Sequence, residues 1–444
     1  MNSYDSAFLL LTAGCGFLSW KQYYGGEQLS EKTASNQPPI TPRAKAEASQ
    51  FTRLFLTVYC LVMGSDWLQG PYVYSLYKDE LGLKETTVAA LFTTGFLSGG
   101  ISGYFVGHFA DQYGRKVACL VFCVTYSVAC FSTLISSVPA LFVGRVFGGL
   151  STSLMYSAFE SWMVTEYCKR HMDNAGLSLS SMYGIMTTLN SIVAILSGVF
   201  SEWLVNFTNT KRAPFMASAV LLMTAFWIIL VYWTENYGDS YGASEASTVP
   251  QKDALKTFFT DKRVLSLGLA SCFFEGSMYL FVFFWTPALK AAQAAAGSPE
   301  LPLGMVFACF MGSVMAGSLA FNLIVSKYKL ISHQRLLTII FATASSSLLV
   351  TVIVKNEALT FWSFCLFEAC VGMYWPSVGY LKGRYIEDGI RARIYGMLRI
   401  PLNIFVVVAL SLIKEGPEYR NSVFVSCSGL LVFISGIFHH YVSD

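Results

Sequence analysis

Charged side chains lie inside long apolar stretches of this sequence, where a charge is costly. Near the centre of a bilayer a charged residue costs at least about 2.5–3.5 kcal/mol, so such residues mark solute pathways or proton relays by default. Two of them are arginines that could hold an anion, and four are carboxylates that could carry a proton. The six are Asp66, Arg145, Glu160, Glu275, Glu368 and Arg399. These residue types could therefore bind an anion and exchange protons within a membrane.

Four of these charges recur at similar places in the two halves of the chain. Asp66 and Glu275 each lie about eleven residues into the first apolar run of their half. Arg145 and Glu368 each precede a glycine by four residues. In a bundle of two repeated halves the helices that carry them would line a central cavity. We therefore expect these four to face a shared wet pathway.

The other two charges have two interpretations each. Glu160 lies near the end of its apolar run and serves equally well as a structural partner for loop cations. Arg399 could bind substrate or pair with a carboxylate on a neighbouring helix.

The sharpest motif is the string Gly107-His-Phe-Ala-Asp-Gln-Tyr-Gly-Arg-Lys. It resembles the signature that the major facilitator superfamily carries between its second and third spans. Gly114 permits a tight turn, Asp111 can meet a helix N-terminus or a cation, and Arg115 can pair with acids of the same membrane face. The resemblance implies a conformational latch formed by Gly107, Asp111, Gly114 and Arg115. The second half has no good copy of it.

Glycines also recur every four residues before this motif, at Gly95, Gly99, Gly103 and Gly107. Such a stripe permits close helix contact in lipid. It suits either static packing or helices that slide against each other.

The elements that must position these groups are helices that span a membrane. Only 13% of the 444 residues are charged and 54% are hydrophobic, whereas soluble domains carry about 25% charged residues. A span needs about 20 apolar residues. Twelve such runs are found at residues 54–76, 86–109, 117–136, 139–163, 178–205, 213–234, 264–288, 303–326, 333–354, 359–381, 393–413 and 421–442.

The fold class predicted is an all-α polytopic membrane protein with two six-helix bundles. The bundles are residues 54–234 and 264–444, joined by a cytoplasmic loop at 235–263. A short apolar helix at residues 1–24, with its N-terminus outside, and a polar linker at 25–53 precede them. With this orientation 20 Lys and Arg residues lie on the cytoplasmic side and 8 on the other, as the positive-inside rule requires.

Several strings resemble one branch of that superfamily, the eukaryotic molybdate-anion transporters. They are G-S-D-W-L-Q-G-P-Y-V-Y (64–74), V-G-R-V-F-G-G-L-S-T-S-L (143–154), S-A-F-E-S-W (157–162), F-E-G-S-M-Y-L-F-V-F-F-W-T-P-A-L (274–289), F-E-A-C-V-G-M-Y-W-P-S (367–377) and R-I-P-L-N (399–403). The resemblance runs along nearly the whole chain. It implies alternating-access uptake of molybdate.

Molybdate is a tetrahedral dianion, and arginine suits such oxyanions. Arg145 and Arg399 are the intramembrane cations available to it, and Gln69, Tyr72 and Asn403 could add neutral donors. Carboxylates would repel the anion unless protonated or paired, so Asp66, Glu275 or Glu368 is a candidate for taking up a proton. The chain is expected to act as a monomer in the plasma membrane, with a cytoplasmic C-terminus.

Other functions stay open at this point. The same fold could carry an organic solute or a sugar, or could serve as a nutrient sensor that transports nothing. An enzyme is not expected, because no nucleophile–base set or metal-ligand spacing is present. No cofactor and no nucleic-acid partner are expected.

Overall fold

The computed structural model describes residues 3–23, 42–238, 260–297, 300–328, 330–386, 388–413 and 416–442. Its long helices are α1 Ser3–Tyr23, α2 Pro42–Trp67, α3 Glu85–Tyr113, α4 Arg115–Ser132, α5 Val138–Lys169, α6 Leu179–Thr208, α7 Ala213–Tyr232, α8 Lys262–Ala296, α9 Leu303–Phe321, α10 His333–Ile353, α11 Glu357–Tyr385, α12 Asp388–Ser411 and α13 Pro417–Tyr441. Each of the twelve predicted runs overlaps one of the helices α2 to α13.

Within the described residues, ten helices are long and apolar enough to cross a membrane. The stretch Met397–Ser411 of α12 is apolar but shorter. Helix α2 differs from the others because its first half carries Arg43, Lys45, Glu47 and Arg53. It begins at Pro42, twelve residues before the apolar run, so the end of the predicted linker is helical. Proline is well suited to a first helical turn, and an Arg43–Glu47 pair one turn apart supports the helix there.

The chain divides into two compact units. The N-terminal unit comprises Leu29–Leu83 and Leu91–Ser240, and the C-terminal unit comprises Met1–Gln28, Lys84–Ala90 and Tyr241–Asp444. The division into two six-helix bundles with the boundaries given above stays a prediction.

Helix α1 belongs to the C-terminal unit and packs on α9. Tyr4 donates a hydrogen bond to Glu357 over 2.5 Å, and Cys15 lies 3.3 Å from the carbonyl oxygen of Gly312. At the other end the Lys327 ammonium donates to the carbonyl oxygen of Lys21 over 2.6 Å. The helix is therefore fixed at both ends to its own unit.

Glycines set the closest helix approaches in each unit. A Cβ on Gly149 of α5 would lie 2.4 Å from the carbonyl oxygen of Gly95 on α3. A Cβ on Gly372 of α11 would lie 2.0 Å from the carbonyl oxygen of Val314 on α9. Of the predicted stripe, Gly95, Gly99 and Gly103 face α5, whereas a Cβ on Gly107 would meet nothing within 4 Å.

Candidate functional site

Arg145 is held by aromatic side chains in the N-terminal unit. Its Nε donates a hydrogen bond to the Tyr77 hydroxyl over 2.8 Å, and the guanidinium lies 4.9 Å from the centre of that ring. The Phe92 ring lies 5.3 Å away on another side. Within the part of the chain that the structure describes, no carboxylate forms an ion pair with Arg145. Its charge is thus positioned by aromatic rings.

Asp66 and Arg145 both act electrostatically on Tyr126 and Cys130. The Asp66 carboxylate accepts a hydrogen bond from the Tyr126 hydroxyl over 2.6 Å. The Gln69 amide donates to the carbonyl oxygen of Ser65 over 3.1 Å and contacts the Cys130 sulfur at 3.4 Å. We call Asp66, Gln69, Tyr77, Tyr126, Cys130 and Arg145 the N-terminal polar cluster.

A second polar group surrounds Glu275 in the C-terminal unit. The Tyr374 hydroxyl donates to the Glu275 carboxylate over 2.9 Å, and the Lys382 ammonium lies 3.7 Å from the same oxygen. Arg399 acts electrostatically on both Tyr279 and Lys382. We call Glu275, Tyr279, Tyr374, Lys382 and Arg399 the C-terminal polar cluster. Within the described residues Lys382 is the cation that pairs with Glu275, whereas Arg399 is exposed and forms no ion pair with it.

Glu368 differs from the other intramembrane carboxylates. It is 6% exposed on α11, and among the described residues its carboxylate has neither a hydrogen bond nor an ion pair. A buried carboxyl group without partners costs less free energy as the uncharged acid. The carboxylates of Asp66 and Glu275, by contrast, each accept a hydrogen bond from a tyrosine.

The remaining predicted residues have different surroundings. Tyr72 is buried and donates to the Glu202 carboxylate over 2.6 Å, so its hydroxyl is directed to α6 rather than to Arg145. Asn403 is half-buried on α12. Glu160 is exposed and accepts a hydrogen bond from Tyr183 over 2.6 Å, which agrees with a structural role.

The signature turn forms a compact charged network. The Asp111 carboxylate pairs with Arg115 at 2.8 Å, and Arg115 also donates to the Ser161 carbonyl oxygen over 3.2 Å and to Thr165. The acid that Arg115 pairs with among the described residues is Asp111, one turn earlier. A role of this network as a conformational latch stays a prediction.

The segment after α7 closes over this turn. The Glu235 carboxylate accepts the backbone N–H of Lys116 over 2.8 Å and so caps the first turn of α4. The backbone N–H of Arg115 donates to the carbonyl oxygen of Asn236, and that of Gly238 donates to Asp111. Anionic groups are favoured at a helix N-terminus. Glu235 was not identified from the sequence, where it reads as the first residue of a polar loop.

We predict that Gly114→Ala impairs transport and lowers the melting temperature of the purified protein by several degrees. Gly114 has φ of 110°, and an added Cβ would lie 2.5 Å from the Glu235 carboxyl carbon. Positive φ and a displaced cap each cost about 1–3 kcal/mol.

Gly107→Ala is the matched control in the same motif, because a Cβ there would meet nothing within 4 Å. Thermal unfolding of both variants checks this. Equal stability of the two would contradict the role of Glu235 as a cap.

Lys382, Tyr77, Tyr126 and Tyr374 were also missed by sequence reasoning. The apolar run predicted from the sequence ends at residue 381, so Lys382 falls just outside the predicted membrane span. Helix α11 continues to Tyr385, so the Lys382 side chain reaches Glu275 from inside the helix. Nothing in the sequence distinguishes these three tyrosines from the many others in the apolar runs. Among the described residues no three His, Cys, Asp or Glu side chains are placed to hold a metal ion.

Comparison with known proteins places the chain among transporters. A family profile described as sugar transporters with 12 transmembrane segments matches residues 11–370. A molybdate-anion transporter of Takifugu rubripes is 31% identical over 400 residues, which cover 84% of this chain and 82% of that protein. A molybdate-anion transporter of Danio rerio is 30% identical over 464 residues, covering 96% and 92%. These names agree with the prediction that the chain is not an enzyme.

Solved structures of other transporters share the fold. The nucleoside transporter NupG superimposes with a TM-score of 0.70 at 13% identity, covering 88% of this chain and all of that one. The peptide transporter POT in complex with sulfate gives 0.70 at 12% identity, covering 88% and 94%. At such identity the likeness concerns the fold alone. It confirms the predicted major facilitator fold and a multi-pass membrane protein.

Proposed function

Because the chain belongs to the family of twelve-span transporters that includes the molybdate-anion transporters, we propose that it takes up molybdate by alternating access. The single observation that carries the proposal is the state of Arg145. An intramembrane guanidinium that is held by rings and lacks an ion-pairing carboxylate in the described chain offers its remaining N–H groups to a bound anion. Charge-assisted bonds to a tetrahedral oxyanion are strong, and a guanidinium can make two at once.

The C-terminal polar cluster supports the same ligand. Lys382 and Arg399 contribute two positive charges against the single carboxylate of Glu275. The cluster therefore has a surplus of positive charge, which attracts a dianion and would disfavour a neutral sugar relative to an oxyanion. Tyr374 holds the Glu275 carboxylate at 2.9 Å and so limits its repulsion of the anion.

Protons are the coupling ion that this chemistry favours. Moving a dianion inward against 100 mV, inside negative, costs about 2.3 kcal/mol for each charge. Co-transport of more than two protons would make entry electrically favourable. Glu368 is a candidate carrier of one of them because its buried carboxyl group has no partner in the described chain. We propose that the protein works as a monomer in the plasma membrane. The distribution of Lys and Arg favours a cytoplasmic C-terminus.

Uptake in proteoliposomes tests the proposal. The purified protein should accumulate molybdate, and an inward proton gradient should accelerate uptake. Sulfate competition measures selectivity between two anions of the same shape and charge. Uptake of a sugar without molybdate uptake would favour the organic-solute alternative, and absence of any flux would favour a sensor.

We predict that Glu368→Gln keeps molybdate binding but removes most of the acceleration by a proton gradient. The amide has the shape of the protonated acid and cannot release a proton. Uptake measured with equal and unequal pH on the two sides checks this. Glu300→Gln, at an exposed position of the same unit, should behave like the unmodified protein. An undiminished response to the gradient in Glu368→Gln would exclude Glu368 as a proton carrier.

A further inference from the structure

One end of the C-terminal unit carries three exposed arginines. Arg263 begins α8, Arg335 lies in the first turn of α10 and Arg384 lies in the last turn of α11. None of the three forms an ion pair within the described residues. By contrast, Arg115 and Arg170 of the N-terminal unit are each paired with a carboxylate one turn away. We call Arg263, Arg335 and Arg384 the arginine rim.

Two of these arginines converge on one aromatic ring. The guanidinium carbons of Arg263 and Arg384 lie 5.4 and 5.9 Å from the centre of the Tyr385 ring. The Tyr385 hydroxyl accepts a hydrogen bond from the Gln334 amide over 3.2 Å, which fixes the ring. A ring gives each cation about 0.5–1 kcal/mol at an exposed site but does not neutralise it. Two positive charges beside one ring attract an anion to that ring.

A histidine completes the polar side of this region. The His333 ring stacks on the Tyr380 ring with centres 3.8 Å apart. The positive charge of Arg384 acts electrostatically on His333. Its Nδ1 is buried and has no hydrogen-bond partner among the residues that the structure describes. An unsatisfied buried nitrogen costs about 1–3 kcal/mol unless a ligand or water reaches it. The stack also joins the start of α10 to the end of α11.

The apolar neighbours of the rim indicate what kind of anion fits. Ile339 lies one turn after Arg335 on α10 and is 50% exposed, and Tyr380 lies one turn before Arg384 on α11 and is 48% exposed. On both helices the exposed apolar side chain lies one turn further from the helix end than the arginine. A phospholipid has the same order, with a phosphate at the membrane surface and acyl chains deeper. A free inorganic anion has no apolar part that could contact Ile339 and Tyr380.

We propose that the arginine rim binds the headgroup of an anionic phospholipid. The phosphate lies at Arg263 and Arg384 beside Tyr385, and the acyl chains follow Ile339 and Tyr380. Anionic lipids are concentrated in the cytoplasmic leaflet. The excess of Lys and Arg in the predicted cytoplasmic loops puts the arginine rim on that side of the membrane. The proposal concerns a lipid partner of the fold and does not depend on which solute is carried.

The test uses the full-length protein purified in a neutral detergent. Dioctanoyl phosphatidylserine, dioctanoyl phosphatidylcholine and inorganic phosphate are added separately and thermal unfolding is followed. A ligand that binds only the folded state raises the melting temperature. We expect phosphatidylserine to raise it by about 3 °C or more and the other two to have little effect. Native mass spectrometry should show retained phosphatidylserine.

Arg263→Gln combined with Arg384→Gln should abolish the stabilisation and the retained lipid. Arg263→Lys with Arg384→Lys keeps the charge and should retain part of both, which covers the case in which the glutamine variant fails to fold. Lys45→Gln with Lys169→Gln is the matched control, because both lysines are exposed at helix ends of the N-terminal unit. An equal effect of phosphatidylcholine or of inorganic phosphate, or stabilisation that survives in a folded glutamine variant, would overturn the proposal.

Discussion

Arg145→Ala is expected to reduce molybdate uptake by about 30-fold or more, which corresponds to the loss of roughly 2 kcal/mol from a charge-assisted contact. Arg145 is the cation of the N-terminal unit that rings hold inside a membrane helix and that no described carboxylate neutralises. Its removal leaves Asp66 to repel the anion. Initial rates in proteoliposomes, over a range of molybdate concentrations, measure the effect.

Two further variants separate charge from geometry. Arg145→Lys keeps the charge but loses the two-pronged contact, so it should retain weak uptake with a raised KM. Tyr77→Phe removes only the hydroxyl that accepts from Arg145 over 2.8 Å, and it should weaken binding by several-fold. Arg53→Gln is the control, because Arg53 is exposed on α2 and bonds only to its own helix. Full uptake in a well-folded Arg145→Ala protein would refute the proposed site.

Gly372→Ala is expected to be the most disruptive small substitution in the C-terminal unit. The added methyl would lie 2.0 Å from the Val314 carbonyl oxygen, 2.9 Å from its carbon and 3.0 Å from the Ser318 nitrogen. All three are backbone atoms, so α9 and α11 would have to separate. Overpacking of this kind costs about 1–3 kcal/mol, and it would displace Glu368 one turn away. Gly149→Ala should act in the same way on α3 and α5, where the nearest atom is the Gly95 carbonyl oxygen.

Matched glycines on the same helices distinguish the contact from the substitution itself. Gly379→Ala on α11 would meet nothing within 4 Å, and the nearest atom to a Cβ on Gly148 of α5 is 3.9 Å away. In a helix alanine is favoured over glycine by about 1 kcal/mol, so both controls should be neutral or slightly stabilising. Melting temperature and surface expression of the four variants test this. Tolerance of Gly372→Ala would show that the two helices can part freely.

The intramembrane charges and the signature motif could be read from the sequence because each is a local feature. A helix that spans a bilayer must satisfy its backbone hydrogen bonds within its own apolar segment. The apolar parts of α2 to α13 and the charges within them are therefore visible without tertiary information. The turn at residues 107–116 is also local, since Asp111 and Arg115 are one helical turn apart and pair with each other. The family resemblance added molybdate, which no spacing could have named.

Tertiary structure decided which group each charge meets. Arg145 meets Tyr77, which is 68 residues away in the chain, and Glu275 meets Tyr374, which is 99 residues away. Hydropathy records the cost of burying a charge but carries no information about its partner, because the partner is chosen by helix packing. The same reason explains why the sequence does not show that Lys382 reaches Glu275 or that the Tyr72 hydroxyl donates to Glu202. The sequence by itself determined that charges lie within the membrane helices, and only the packing of the helices decided that Arg145 meets aromatic rings while Glu275 pairs with Lys382.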